Sequence, residues 1–201
     1  MSIEIEKLSL DSKSSYYEEI SNIHKAEISE GFLATFGSNF LTILYKTIAT
    51  SDYSFLYAAK IVGFICGCTN TNKLYLDFIR RAGFKAAFIL IPKLINPRKF
   101  LRIVETLLYP SKKVNKDLPD SEILNFCVKS NTQGKGVGKM LFHALIKEFK
   151  QIGVEKIKIV TGKNQVSAQK FYTKLGAKKV ADIEIHKETE SLIYTYNYSE
   201  T

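Results

Sequence analysis

The residues best placed to do chemistry stand together: Gln133, Gly134, Lys135, Gly136, Val137, Gly138 and Lys139 put three glycines within five positions, between two lysines. Before them, Ile123 to Val128 is an apolar run rich in β-branched and aromatic residues, of the length of a buried strand. After them, Leu141, Leu145 and Phe149 fall four apart, the spacing of one helix face. Glycines at a strand-to-helix corner leave backbone N–H groups unobstructed, and the first N–H groups of a helix lack intrahelical partners. With the positive end of the helix dipole, they form a site for an anion, phosphate above all. An ordinary strand–turn–helix corner also uses glycine, so the loop alone does not name a ligand. Its spacing is not that of a Walker loop, because no Lys-Ser/Thr pair follows the glycines. Nor is it a dinucleotide fingerprint, since the glycines run G-x-G-x-G and no βαβ unit opens the chain.

The elements around this corner can be taken in order. Ser2–Leu10 alternates Ile3, Ile5 and Leu8 with acidic residues and reads as a half-exposed strand. Ser14 or Ser15 can cap a helix running to about Ile28, with Ile20, Ile23 and Ala26 inward. Gly31 breaks it, and a second helix carries the stripe Phe40, Leu41, Leu44 and Tyr45. Tyr53–Ala59 and Ile61–Thr69 read as paired strands, with Gly63 and Gly67 marking a bulge or a close backbone approach. Glu155–Val160 is a further buried strand, and Gln165–Leu175 is a helix closed by Gly176 as a C′ glycine. Lys179–His186 and Leu192–Tyr198 then close the chain as an antiparallel hairpin.

Two blocks in order, about 30 residues apart, resemble the GNAT superfamily of acyl-CoA-dependent N-acetyltransferases. Gln133, Gly136 and Gly138 match its pyrophosphate loop, Arg/Gln-x-x-Gly-x-Gly/Ala. Asn164, Ala168, Phe171-Tyr172 and Leu175-Gly176 match its second block. The resemblance implies an α/β fold: a mixed, mostly antiparallel sheet with flanking helices and a V-shaped splay between two central parallel strands. It implies one N-acetyltransferase domain over residues 1–201, with acetyl-CoA as co-substrate and no metal. The backbone of Phe126, Cys127 and Val128 would hold pantetheine, with the opening facing Ile157–Thr161. The loop from Gln133 to Lys139 would hold the pyrophosphate, and Asn164 would touch CoA. Tyr172 sits where many members place the tyrosine that protonates the leaving thiolate. Glu122 stands eleven residues before Gln133, the offset of the general base in the histone-acetylating branch. A glutamate entering a buried strand would have its pKa raised by desolvation, which suits that role. His24, Glu27 and Glu30 lie where the first two helices would flank the acceptor; a solvated helix face is the competing reading for each. His143 falls on the outer face of its helix, and His186 has no assignable role.

The family plan expects a short hairpin where this chain has about 50 residues, Asn70 to Asp120. That insertion should carry helices over Leu74–Ala82 and Phe84–Ile95, with a third opened by Pro97 and stopped by Pro110. Residues 73–113 hold ten Lys/Arg against two acids, +8 of the chain's +9. One basic block points to a local anionic partner rather than to nucleic acid in general. The insertion also has more large apolar residues than one helix face needs, so it must pack on the domain, pair in a homodimer or meet lipid. Arg80, Arg81, Lys85, Lys93 and Arg98 do not share one helical face, which disfavours an interfacial helix. A lid recognising a phosphorylated or nucleotide-linked amine is therefore the preferred reading, with peripheral membrane contact as the alternative. Apolar content of 45% is that of a soluble protein, and the acidic opening is neither signal nor transit peptide. Cys66, Cys68 and Cys127 lie in strand-like runs without further ligands nearby, so they read as buried thiols in a reduced cytoplasm. The expected activity is acetyl transfer from acetyl-CoA to a small-molecule amine; the alternative is an acyl-CoA-binding regulatory or scaffold module.

Overall fold

The computed structural model describes residues 3–28, 31–60, 62–94, 118–186 and 189–198. The third insertion helix read between Pro97 and Pro110 lies outside them, as does Glu30. Seven strands form one sheet in the order β1-β2-β3-β4-β5-β7-β6. They are β1 (Ile5–Lys7), β2 (Ser54–Ala59), β3 (Gly63–Cys68), β4 (Glu122–Val128), β5 (Lys156–Gly162), β6 (Lys178–His186) and β7 (Thr189–Asn197). Every neighbouring pair is antiparallel except β4 with β5. The mixed sheet expected from the resemblance is therefore present.

Helices cover both faces. On one, α1 (Ser14–Glu27) and α2 (Ser38–Thr50) bury Tyr17, Ile20, Ile23, Leu41, Tyr45 and Ile48 against Leu56, Phe64 and Cys66. On the other, α4 (Val137–Gln151) buries Leu141, Leu145 and Phe149 with Ile65, Ile123 and Ile157. α5 (Val166–Lys174) adds Tyr172 to that second core. Two local expectations change. Ser14 is the first residue of α1 rather than its cap, and Lys13 occupies the cap position without a side-chain bond. The nearby Ser12 hydroxyl instead accepts the Ser9 N–H at 3.0 Å, so local turn bonding competes with capping. Ala26 is exposed, while His24 takes the inward place four residues after Ile20.

The insertion opens with one continuous helix, α3 (Thr71–Leu94), where two were expected. Gly83 is carried inside it because the helix has tertiary support: Leu74, Ala82 and Ala86 are buried, and Ala86 packs with Phe36 and Phe40. Packing of this kind outweighs the roughly 1 kcal/mol that an interior glycine costs. Asn70 Nδ2 donates to Asp120 Oδ2 at 3.1 Å, so the two ends of the insertion meet at the mouth of β4.

Candidate active site

β4 is the strand that positions the site. Its register with β3 shifts between Cys66 and Gly67, where Asn125 pairs with Cys66 and Ile123 with Gly67. Leu124 is thus an extra residue, a β-bulge that bends and twists the strand. Gly67 allows this because a Cβ there would stand 2.9 Å from the Glu122 carbonyl oxygen and from the Phe149 ring. Gly63 likewise admits the Cys127 carbonyl oxygen, 2.7 Å from where a Cβ would lie. Both glycines are the close approaches read from the sequence.

The bulge coincides with the loss of pairing to β5. The two parallel strands are in register only at Glu122–Lys158 and Ile123–Ile159. From Leu124 onward they separate, giving the V-shaped splay between Leu124–Val128 and the end of β5. Phe126, Cys127 and Val128 stand on the open half. On β5 the opening falls at Val160 to Gly162, whereas Ile157 to Ile159 lie on the closed half. The expected range Ile157–Thr161 was therefore set too early in the strand, because the bulge on β4 fixes where the V begins.

The open end of the V leads to the glycine loop. A 3-10 turn, Ser130–Thr132, follows β4, and Gly134 and Gly136 take φ of 78° and 83°. Only glycine holds such angles without strain. A Cβ on either would meet nothing within 4 Å, so the space in front of the loop is open. Gly136 caps α4 with no side-chain bond, and the first turn of α4 carries no acidic residue. The dipole end is thus left for an outside anion. Val137 is buried beneath the loop, and Lys135 and Lys139 are exposed beside it. Gln133 Nε2 donates to the Val128 carbonyl at 3.0 Å and ties the loop to the strand end. Gly138 brings α4 against the rings of Phe126 and Phe171, each 3.4 Å from where a Cβ would stand. Asn164 is exposed in the turn between β5 and α5, with its Oδ1 against Gly162.

The two candidate proton-transfer residues lie on opposite faces of the sheet. Tyr172 is buried on the α4–α5 face, its ring centroid 6.4 Å from that of Phe126 on the open half of β4. Burial pushes its phenol well above the usual range, so it stays protonated. Glu122 stands at the vertex, on the α1–α3 face. Its Oε2 lies 3.0 Å from Lys158 Nζ, and Thr71 stands near its carboxyl. Burial raises the Glu122 pKa, with Lys158 and Thr71 pulling the other way. Tyr75 is close enough for the Glu122 charge to raise its own pKa. Sequence reading found Glu122 but not this surround; Lys158 faces it only because the parallel register places it there.

His24 does not lie on a solvated helix face. It is 1% exposed, shares a hydrogen bond through Nδ1 with the Tyr45 hydroxyl, and stacks on Phe64 at 6.4 Å. Its Nε2 is buried without a protein partner among the described residues. Burial lowers its pKa to about 4. The signal was available, since His24 falls on the Ile20–Ile23 stripe. Glu27 is half-buried and accepts the Ser130 hydroxyl at 2.5 Å, linking α1 to the turn after β4. His143 is exposed as expected. Among the described residues no group of three or more His, Cys, Asp or Glu could hold a metal.

A seven-stranded mixed sheet opened between its two central parallel strands, with a glycine loop feeding a helix, defines the GNAT fold. The model of the acetyltransferase (GNAT) family matches residues 100–177, which include both sequence blocks. No curated protein matches the chain. Solved structures do. PH1933 from Pyrococcus horikoshii OT3 superposes with a TM-score of 0.58 at 18% identity, over 98% of each chain. The protein smu.2055 from Streptococcus mutans UA159 gives 0.59 at 16% identity, over 97% of this chain and 99% of that one. Arabidopsis thaliana NAA60 in complex with acetyl-CoA gives 0.58 at 13% identity, over 98% and 99%. At these identities the likeness is one of fold.

Proposed function

We propose that this chain is an N-acetyltransferase that moves the acetyl group of acetyl-CoA to a primary amine. The observation that carries this reading is the continuous path from the open half of β4 to the uncapped glycine loop. An acyl-pantetheine arm can lie along the edge of Phe126–Val128 that β5 leaves unpaired, while its pyrophosphate meets Gln133–Lys139. NAA60, of the same fold, is solved with acetyl-CoA, which supports the assignment.

The chemistry follows from the two faces. A lysine-type amine with a pKa near 10.4 is neutral only about once in 2,500 at pH 7, so a base is needed. Glu122, at the vertex, takes the amine proton directly or through water as the nitrogen attacks the thioester carbonyl. The C–N bond forms and the C–S bond breaks. Tyr172, kept protonated by burial, gives its proton to the leaving thiolate from the opposite face. Backbone N–H groups of the unpaired β4 edge polarise the carbonyl.

The insertion supports an anionic acceptor, phosphorylated or nucleotide-linked. Thr71 and Tyr75, in the first two turns of α3, stand beside Glu122, so the insertion borders the acceptor side of the vertex. It is not a detachable lid, because Leu74, Ala82 and Ala86 are part of the core. The test is CoA release from acetyl-CoA across a panel of amines with and without phosphate. Turnover of a phosphorylated amine with a KM that rises with salt is expected. CoA binding without release to any amine would return the protein to a binding module.

A further inference from the structure

α3 is 24 residues, about 36 Å long, and only one side of it is needed by the fold. Leu74, Ala82 and Ala86 are buried, with Phe78, Ile89 and Leu90 packed beside Phe36 and Phe40. The other side exposes large apolar residues. Phe84 is 89% exposed, Phe88 74%, Ile79 63% and Leu76 54%. Exposed single hydrophobes are common, but two nearly bare phenylalanines one turn apart are not. Interleaved with them, Lys73, Arg80, Arg81 and Lys85 are also exposed. The one acid on the helix, Asp77, is bonded to Arg81 at 2.7 Å.

Basic residues scattered around α3 argued against an interfacial helix when all its faces counted equally. Burial of one side changes this, since the exposed arc then carries phenylalanines and basic side chains with no free acid. We infer that this arc of α3 docks the protein on a lipid bilayer surface bearing anionic headgroups. Phe84 and Phe88 enter the acyl boundary, and Arg80 and Lys85 meet the phosphates. The charge also decides against a second copy of this chain, because two such faces would oppose basic residues with no carboxylate to pair them. Contact is parallel to the bilayer: no described helix is long and apolar enough to cross a membrane. With Thr71 and Tyr75 beside Glu122, the docked helix would hold the vertex of the V near the lipid surface.

The test is co-sedimentation of the full chain with phosphatidylcholine vesicles, with and without phosphatidylglycerol. Binding is expected only where phosphatidylglycerol is present, weakening as salt rises from about 0.1 M to 0.5 M. Phe84→Ser with Phe88→Ser should reduce it about tenfold or more, and Arg80→Glu with Lys85→Glu likewise. Val180→Ser, which alters an exposed apolar residue on β6, should leave it unchanged. Both double variants change exposed side chains, so melting temperature should hold and report an intact fold. The inference is overturned if the wild type ignores anionic vesicles or if both double variants bind as well as it does. It is also overturned if the phenylalanine pair instead governs a concentration-dependent dimer without vesicle binding.

Discussion

Replacing Gly136 by alanine separates the anion role of the loop from its role in the fold. Gly136 has a φ of 83°, and a Cβ there meets nothing within 4 Å. The fold therefore loses only the left-handed backbone penalty, about 1–2 kcal/mol. A domain of this size should melt roughly 2–8 °C lower. The structure supplies a matched control. Gly153, just past the other end of α4, has a φ of 76° and equally open surroundings. Gly153→Ala should cost the same stability. Only at Gly136 does the new methyl group enter the space in front of the helix N-terminus. If it displaces a pyrophosphate from two N–H groups, each charged hydrogen bond is worth about 1.5–3 kcal/mol. The loss is then about 3–6 kcal/mol, roughly 10²- to 10⁴-fold in CoA affinity. Calorimetric titration of CoA into both variants, with melting curves alongside, makes the measurement. Equal CoA affinities in two equally destabilised proteins would refute the loop as the phosphate site.

Tyr172→Phe keeps the ring packed on Phe126 and Phe171 and removes only the hydroxyl. Turnover should fall by about 10² with acetyl-CoA affinity held, measured by steady-state CoA release; unchanged turnover would make Tyr172 a packing residue. Lys158 lowers the pKa of Glu122, so Lys158→Met should move the acid limb of the pH–rate profile to higher pH. Glu122→Gln should abolish that limb, and a profile overlaying the wild type would remove Glu122 from the chemistry. His24 is held neutral, with its pKa lowered to about 4 from an unfolded value near 6.5. Its contribution to stability is complete above pH 6.5 and is lost as pH falls towards 4, because the unfolded chain binds the proton first. Between pH 7 and pH 5 the loss is about 2 kcal/mol. Urea unfolding should show it in the wild type and show a flatter dependence in His24→Phe.

The chemistry-bearing parts that sequence alone determined are local ones. Gly134 and Gly136 are needed by the dihedral angles of a turn, and a helix N-terminus needs no distant partner to present its N–H groups. The stripe of Leu141, Leu145 and Phe149 follows from helix periodicity. For the same reason the order of strands and helices was legible from alternation and punctuation. Three features were decided only by tertiary structure, each because residues far apart in the chain had to meet. The V opens at Leu124 because β4 must bulge against Gly67 of β3, a register that no window of β4 contains. His24 shares the stripe of Ile20 and Ile23, but it became a buried neutral ring because Tyr45 and Phe64, far along the chain, close over it. α3 runs unbroken through Gly83, with Phe84 and Phe88 outward, because α2 and the preceding turn take its other side. Amphipathic spacing says which residues share a helix face, but the neighbour that arrives decides which face is inside.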